Sequence, residues 1–376
     1  MFTADQTDDD DVIHYQQWIH DGQLKLQAMS SSVSEFIDAV CESVDLTTRH
    51  HFTCKAQSLY LRQLKESLEL TSAIILLDFA ENYSFVCQDA TQGFHWDTEQ
   101  ATLHPFAIYC RKTPDEELTC MSVCIISDER EHVASTVSCF VRRVIQHVKE
   151  QLPLIEYIHY FSDGASAQYK NCKNLVNLCH HKNDYKLHAE WNFFATSHGK
   201  SPCDGIGGTV KRLAARASLQ DADEGHIMTP SQLFDWAGSN IKGIKFFYVS
   251  AAEVQEHSHE LKSRFESTKT VAGTRSHHRF VPVDDLGTVN MYRLSGDPFF
   301  TTVTVSKAAD SENLSLTDTE EIVTPTIGQY VAAIYDNEWY IGLITARSEE
   351  HGDVTVNFMT RNSKTNVLSW PPRKTN

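Results

Sequence analysis

No stretch of eighteen consecutive apolar residues occurs in this 376-residue chain, which excludes a membrane-spanning helix. The opening segment, MFTADQTDDDDV, is acidic and polar. It lacks the apolar centre of a secretory signal, so the chain reads as intracellular, nuclear or cytoplasmic, and not secreted. Basic side chains are in deficit, 33 Lys and Arg against 50 Asp and Glu, for a net charge of −17. That balance argues against a strong nonspecific nucleic-acid binder. Standard zinc spacing is missing as well. The ten cysteines are scattered, and the nearest thing to a cluster, Cys172, Cys179, His180 and His181, fits no zinc pattern. Cys124 and Cys139 fall inside apolar, periodic segments, as reduced and buried thiols do.

What is present is a 41% apolar composition, enough for a real core, and a length that suits two or three domains. Three stretches carry the chemistry: LLDFAEN around Asp78, YFSDGASAQYKN around Asp163, and SHGKSPCDGIGG around Asp204. Each sets one aspartate near the end of an apolar, strand-like run. Carboxylates gathered from several strand ends can hold two divalent ions about 3.5–4 Å apart, the arrangement that activates a hydroxyl and stabilises a leaving oxygen in phosphodiester chemistry. The hard cations Mg²⁺ and Mn²⁺ suit such an all-carboxylate site.

Periodicity gives the order of elements. Strands are predicted at 73–80, 101–110 and 118–127, with a turn at the PDEE stretch between the last two. A helix follows over 132–151, where Val133, Val137, Phe140, Val141, Val144, Ile145 and Val148 recur at helical spacing. Then come a strand at 155–161, a helix at 169–181, a strand at 187–196 and a helix at 210–219. The order β-β-β-α-β-α-β-α predicts an α/β fold, a mixed sheet flanked by helices. In it the first and fourth strands are neighbours, so Asp78 and Asp163 sit side by side and Asp204 closes the triangle. Glu190 is a rival third acid, but it lies inside a strand.

The element order and the three acids resemble the ribonuclease H-like catalytic core of DDE/DDD transposases and integrases. The blocks DFAENY, FSDGASAQYKN, AEWNFFATSHGK and CDGIGGTVKR resemble those of transposase-derived proteins of invertebrate genomes. The resemblance spans roughly residues 50–300. It implies two-metal phosphodiester hydrolysis and strand transfer on DNA, at transposon ends, with Asp78, Asp163 and Asp204 as catalytic and metal-binding residues. Two departures stand out: the long 81–100 segment, an insertion in the meander, and an aspartate rather than the commoner glutamate as the last acid. No zinc-finger or helix-turn-helix module is present, so a truncated or domesticated copy is expected. The alternatives are a metal-dependent nuclease without strand transfer and a catalytically silent scaffold.

Glu81, His198 and Lys200 are accessory candidates around the three acids. Segment 164–220 is locally basic, and Lys170, Lys173, Lys211 and Arg212 are its candidate DNA contacts, with Arg275 in the later GTRSHHRFVP stretch. The flanks read as an acidic, disordered tail over 1–31, a helical segment over 32–70 suited to packing or self-association, a catalytic core over 71–297 and a Ser/Thr-rich, acidic linker over 298–321. Residues 322–376 read as a small Tudor-like β-barrel. There Tyr335, Trp339, Tyr340 and Phe358 either fill the barrel or form an aromatic cage for a methylated cation on a chromatin or peptide partner.

Overall fold

The computed structural model describes residues 11–86, 99–113, 117–195, 201–220, 227–307, 326–335, 338–347, 354–361 and 368–369. The chain divides into two compact units, Met1–Asn313 and Leu314–Asn376.

The first unit begins with a hairpin where a tail was expected. Strands β1 (Val12–Asp21) and β2 (Gln23–Ser32) pair antiparallel, and the turn is made by Gly22 at φ +68°, a conformation glycine adopts without Cβ strain. The acidic run that suggested disorder ends before Val12, and residues 1–10 lie outside the described ones. Helix α1 (Val33–Glu66) starts at a capping box. The Glu35 N–H donates to Ser32 Oγ at 3.3 Å, and the Ser32 N–H donates to Glu35 Oε2 at 3.1 Å.

The central sheet is built by β3 (Ser72–Leu77), β4 (Tyr83–Ser84), β5 (Gln100–Cys110), β6 (Thr119–Ser127), β7 (Tyr157–Ser162), β8 (His188–Phe193), β9 (Ile244–Val249), β10 (Arg279–Pro282), β11 (Thr288–Tyr292) and β12 (Thr301–Thr304). Its order is β12-β11-β10-β8-β7-β3-β5-β6-β9, with the short β4 on β5. Strands β3, β5 and β6 form an antiparallel meander. Strand β7 returns parallel to β3, and β8 parallel to β7. The mixed α/β architecture read from the sequence is therefore present. The proposed linker begins later than expected, because β12 still belongs to the sheet.

Helices cover both faces. Helices α2 (Ala134–Gln151) and α3 (Cys172–Tyr185) pack on the face that carries Ala73, Ile75 and Leu77. Helices α4 (Pro202–Gln220) and α5 (Pro230–Asn240), with the C-terminal part of α1, pack on the face of Ile74 and Leu76. Buried on both sides, β3 is a continuous apolar run rather than an alternating one. Helices α6 (Ala251–Glu260) and α7 (Lys262–Glu266) follow β9.

Two helix starts differ from the periodicity reading, each for a local reason. Helix α3 begins at Cys172 rather than Tyr169, because Asn171 caps it, its side chain accepting from the Asn174 N–H at 2.9 Å. Helix α4 begins at Pro202 rather than Val210. Proline suits a first helical position, and the glycines that obscured the helical pattern serve packing. A Cβ at Gly207 would stand 2.9 Å from the Ala80 Cβ and 3.4 Å from Pro105, whereas one at Gly208 would meet nothing within 4 Å. The missing side chain lets α4 lie directly against the segment that follows β3.

The second unit holds β13 (Tyr330–Tyr335), β14 (Glu338–Arg347) and β15 (Val354–Phe358) as an antiparallel three-stranded sheet, and a separate pair β16 (Thr360–Arg361) and β17 (Leu368–Ser369). These strands form a small antiparallel sheet separate from the central one, where the sequence led to the expectation of a small β-barrel.

The two α4 glycines give opposite expectations. Gly208→Ala gains about 1 kcal/mol from helix propensity alone. Gly207→Val overpacks α4 against Ala80 and loses about 1–3 kcal/mol. Urea titrations of the two variants against the parent check both signs; a Gly207→Val protein as stable as the parent overturns the close-packing account.

Candidate functional site

The parallel ladder between β3 and β7 sets the first two acids. Its register pairs Ser72 with Tyr157 and Leu76 with Phe161, so Asp78, one residue past β3, and Asp163, one residue past β7, leave the same end of neighbouring strands. Side chains alternate across a sheet. Asp78 continues the series of Ile74 and Leu76, and Asp163 that of Phe161, all on the face covered by α4. Asp204 approaches from that helix, in its first turn.

The local bonds fit these placements. The Asp78 N–H donates to the Pro105 carbonyl at 3.4 Å. Asp163 Oδ1 accepts from the Ala165 N–H at 3.1 Å and so turns the chain after β7. Asp204 Oδ2 accepts from the Ser201 N–H at 3.3 Å, and the Asp204 N–H donates to the Ser201 carbonyl at 3.1 Å. A carboxylate in a first turn is also favoured by the helix dipole. Next to Asp204, the Cys203 Sγ donates to the Leu76 carbonyl at 3.5 Å and ties α4 to β3.

Asp78 senses the other two acids. Burial, then the charges of Asp163 and Asp204, push the Asp78 carboxyl from its ordinary 3.8 up to about 7. Burial also raises Asp163, partly offset by the Ala165 hydrogen bond. A carboxyl poised near neutrality exchanges a proton readily at physiological pH, as general acid–base work requires. The fit to a metal is less direct. Among the described residues, no group of three His, Cys, Asp or Glu side chains could hold a metal ion. The carboxylates are near enough to repel but do not form a ready cage.

Behind Asp78 lies an aromatic and histidine cluster that periodicity gave no sign of. Phe79 stacks on His132 with centroids 4.0 Å apart and lies 4.1 Å from His104. The buried Tyr169 hydroxyl and His104 Nε2 are 2.7 Å apart. Burial, then the charges of Asp78 and Asp163, raise the Tyr169 hydroxyl well above its ordinary value, while burial and neighbouring His132 keep His104 neutral. The only sequence signal was adjacency: Phe79 follows Asp78, and Tyr169 lies within the Asp163 block.

Glu190, the rival acid, is fully buried and committed elsewhere. Its carboxylate meets His159 Nδ1 at 3.0 Å, Arg279 at 2.9 and 2.7 Å, and the Asn192 amide at 3.0 Å. Burial alone would raise it, but the His159 hydrogen bond and the Arg279 charge bring it down to about 2. It is a structural anion.

The other candidates divide. Lys170 and Arg275 come together, the Lys170 ammonium donating to the Arg275 carbonyl at 3.0 Å. Lys211 lies 4.0 Å from the fully exposed Glu81. Lys173 is turned toward the Phe265 ring, 5.4 Å from its centroid, and Arg212 is exposed on α4. His198 and Lys200 lie outside the described residues. In the second unit Tyr340 packs edge-on against Phe358 at 6.3 Å, while the side chains of Tyr335 and Trp339 lie outside the described ones. Among the described cysteines all are free, and His181 is taken by the Tyr160 hydroxyl at 2.9 Å and the Leu187 carbonyl at 2.8 Å.

The Asp78 shift fixes a pH dependence. A carboxyl raised on folding favours the folded state fully below its unfolded pKa and loses that contribution as pH rises through its folded one. Stability should therefore fall between about pH 4 and pH 7 through this group. At one unit per about 1.4 kcal/mol, Asp78→Asn should stabilise the protein by on the order of 3 kcal/mol at pH 8 and by little at pH 4. Thermal melts across that range check it; equal effects at both ends exclude Asp78 as the strained carboxyl.

A profile described as a domain of unknown function, DUF8701, matches residues 57–295. No curated protein and no solved structure matches the chain significantly. The matched segment begins and ends on a bonded pair: the buried Gln57 Oε1 accepts from the Ser295 N–H at 2.9 Å, and Gln57 Nε2 donates to Ser295 Oγ at 2.7 Å. That segment contains the three acids and most of the sheet, and since it spans well over half of the sequence, the chain belongs to the DUF8701 family.

Proposed function

We propose that residues 57–295 carry a ribonuclease H-like core and that the protein is a transposase-like, intracellular enzyme acting on phosphodiester bonds of DNA at Asp78, Asp163 and Asp204. One observation carries this reading. Burial, together with the charges of Asp163 and Asp204 from sequence-distant segments, raises the proton affinity of Asp78 to about 7, and such perturbed groups concentrate at functional sites. The strand order β6-β5-β3-β7-β8, an antiparallel meander continued by two parallel strands, is the one the resemblance implies. Asp78 would accept a proton from the attacking water or hydroxyl. Mg²⁺ or Mn²⁺, when bound, would relieve the carboxylate repulsion and polarise the phosphate. DNA hydrolysis without strand transfer falls within the same reading.

The scaffold reading has one observation in its favour, the lack of a ready three-ligand metal group among the described residues. In it the second unit binds a chromatin or peptide partner. The experiment that separates the two is cleavage of end-labelled duplex and hairpin DNA by the full chain with and without Mg²⁺ or Mn²⁺. The enzyme reading expects metal-dependent nicking or joining that Asp78→Ala and Asp163→Asn each reduce at least 100-fold. Folded parent protein that leaves both substrates intact with either metal rejects it.

Self-association is the third part of the proposal. Helix α1 buries only Val33 and Gln57, while Ile37, Val40 and Val44 are 52, 42 and 55% exposed. Their spacing of three and four residues is that of a coiled-coil seam, which a second copy of the same helix complements. Sedimentation should show a dimer that Val40→Glu with Val44→Glu converts to monomer without loss of the core's melting transition. A parent chain already monomeric at micromolar concentration removes this surface.

A further inference from the structure

Beside Asp163 lies a second feature that the three acids do not use. A cavity of about 480 Å³ opens next to Gly164, within the range of about 300–1,000 Å³ typical of small-ligand sites. Its wall has two chemistries. Phe194, Leu175, Val271 and Val305 form an apolar side, while Lys170 and Arg275 supply cationic groups. Among the described residues no Asp or Glu lines it. The larger cavity of about 950 Å³ near α6 is different, since Asp128, Glu129, Glu131 and Glu266 stand there among Lys173, Lys262 and Arg130, so its charges select no ligand of one sign.

Of the two cations at this cavity Lys170 is built in, whereas Arg275 is exposed. The Lys170 ammonium is held by the Arg275 carbonyl at 3.0 Å and lies 5.1 Å from the centre of the Phe193 ring. The aliphatic stem of Lys170 runs 3.5 Å from where a Gly164 Cβ would stand. Among the described ion pairs neither Lys170 nor Arg275 has a carboxylate partner. Asn171 and Cys172, at the N-terminus of α3, complete this side, and the helix adds its partial positive charge. Burial pulls Lys170 down to about 8, and burial with the nearby Lys170 charge pulls His278 down to about 4. An anion here would be welcome, because among the described residues no carboxylate neutralises the lysine.

We infer that this cavity receives one unpaired nucleotide, its phosphate on Lys170 and Arg275 and its base against Phe194, Val271 and Val305. The inference rests on the phosphodiester reading above and deepens it. A strand seated this way runs its next phosphate past Gly164 toward Asp163. The apolar side accepts any base, because every base has a stackable face, so the site would be tolerant of sequence. An extruded or single-stranded nucleotide fits it, whereas a paired base would not.

The test uses the full chain and titrates dAMP, deoxyadenosine, inorganic phosphate and oligo(dT) by calorimetry. Saturable dAMP binding is expected, with deoxyadenosine and phosphate each at least 10-fold weaker and oligo(dT) at least as tight as dAMP. Arg275→Gln and Lys170→Gln should each weaken dAMP at least 10-fold. Val271→Trp, which fills the cavity and leaves the charges, should abolish binding. Affinity should also fall as pH rises past about 8 as Lys170 loses its proton. Arg275 is exposed, so its variant tests the site even where another fails to fold. No dAMP binding at millimolar concentration, or binding that Val271→Trp and Arg275→Gln leave unchanged, overturns the inference. Asp78→Asn should bind dAMP as the parent does. Nucleotide binding without DNA cleavage would thus leave the pocket standing and remove the enzyme reading; cleavage undiminished in Val271→Trp would do the reverse.

Discussion

The parallel pairing of β3 with β7 is the constraint on which the site depends. It joins segments 85 positions apart in the chain, Asp78 and Asp163, through a ladder from Ser72–Tyr157 to Leu76–Phe161. Parallel strands need a crossover, and here the crossover is β4, the rest of the meander (β5 and β6) and α2. Burying α2 on one face through Val137, Phe140, Val141, Val144 and Val148 stabilises the ladder. The ladder in turn leaves two carboxylates at one end of adjacent strands. Helix α4 can then bring the third only because Gly207 lets it lie against Ala80. Each step relies on the one before.

The cost of this arrangement is local. Like charges in a half-buried setting oppose each other, and Asp78 answers by holding its proton to about pH 7. Elsewhere in the same sheet a buried carboxylate is treated in the opposite way. Glu190 is surrounded by Arg279, His159 and Asn192 and stays ionised. The contrast is physical: one buried acid is fully satisfied by its neighbours, while Asp78 is held protonated by burial and by the charges of two other acids, the kind of perturbation on which the proposed function rests. The same contrast holds for cations. Arg279 is paired with Glu190 at 2.7 Å, whereas Lys170 and Arg275 line a cavity with no Asp or Glu among its described residues.

Much of the core was legible because its signals are periodic. The run AIILL in β3 and the valine spacing in α2 leave few alternatives to a buried strand and an amphipathic helix. The start of α4 was not legible: CDGIGG reads as a loop, since glycine lowers helix propensity, and only packing against Ala80 explains why the helix accepts it. The hairpin at 12–32 was obscured by the acidic residues before it. Strands β10, β11 and β12, which extend the sheet beyond β8, are too short for alternation to stand out.

By itself the amino-acid sequence determined five central strands of the sheet, their order along the chain and the positions of Asp78 and Asp163 just past two of them, because these follow from hydrophobic period and turn residues that act over a few positions. Which acid would be strained and which satisfied was decided by tertiary structure. Glu190 and Asp78 both sit in apolar surroundings along the chain. Arg279 reaches Glu190 across the β8–β10 pairing, while Asp78 meets Asp163 and Asp204 instead. Electrostatic energy depends on distance through space and on dielectric, and neither is written in sequence separation.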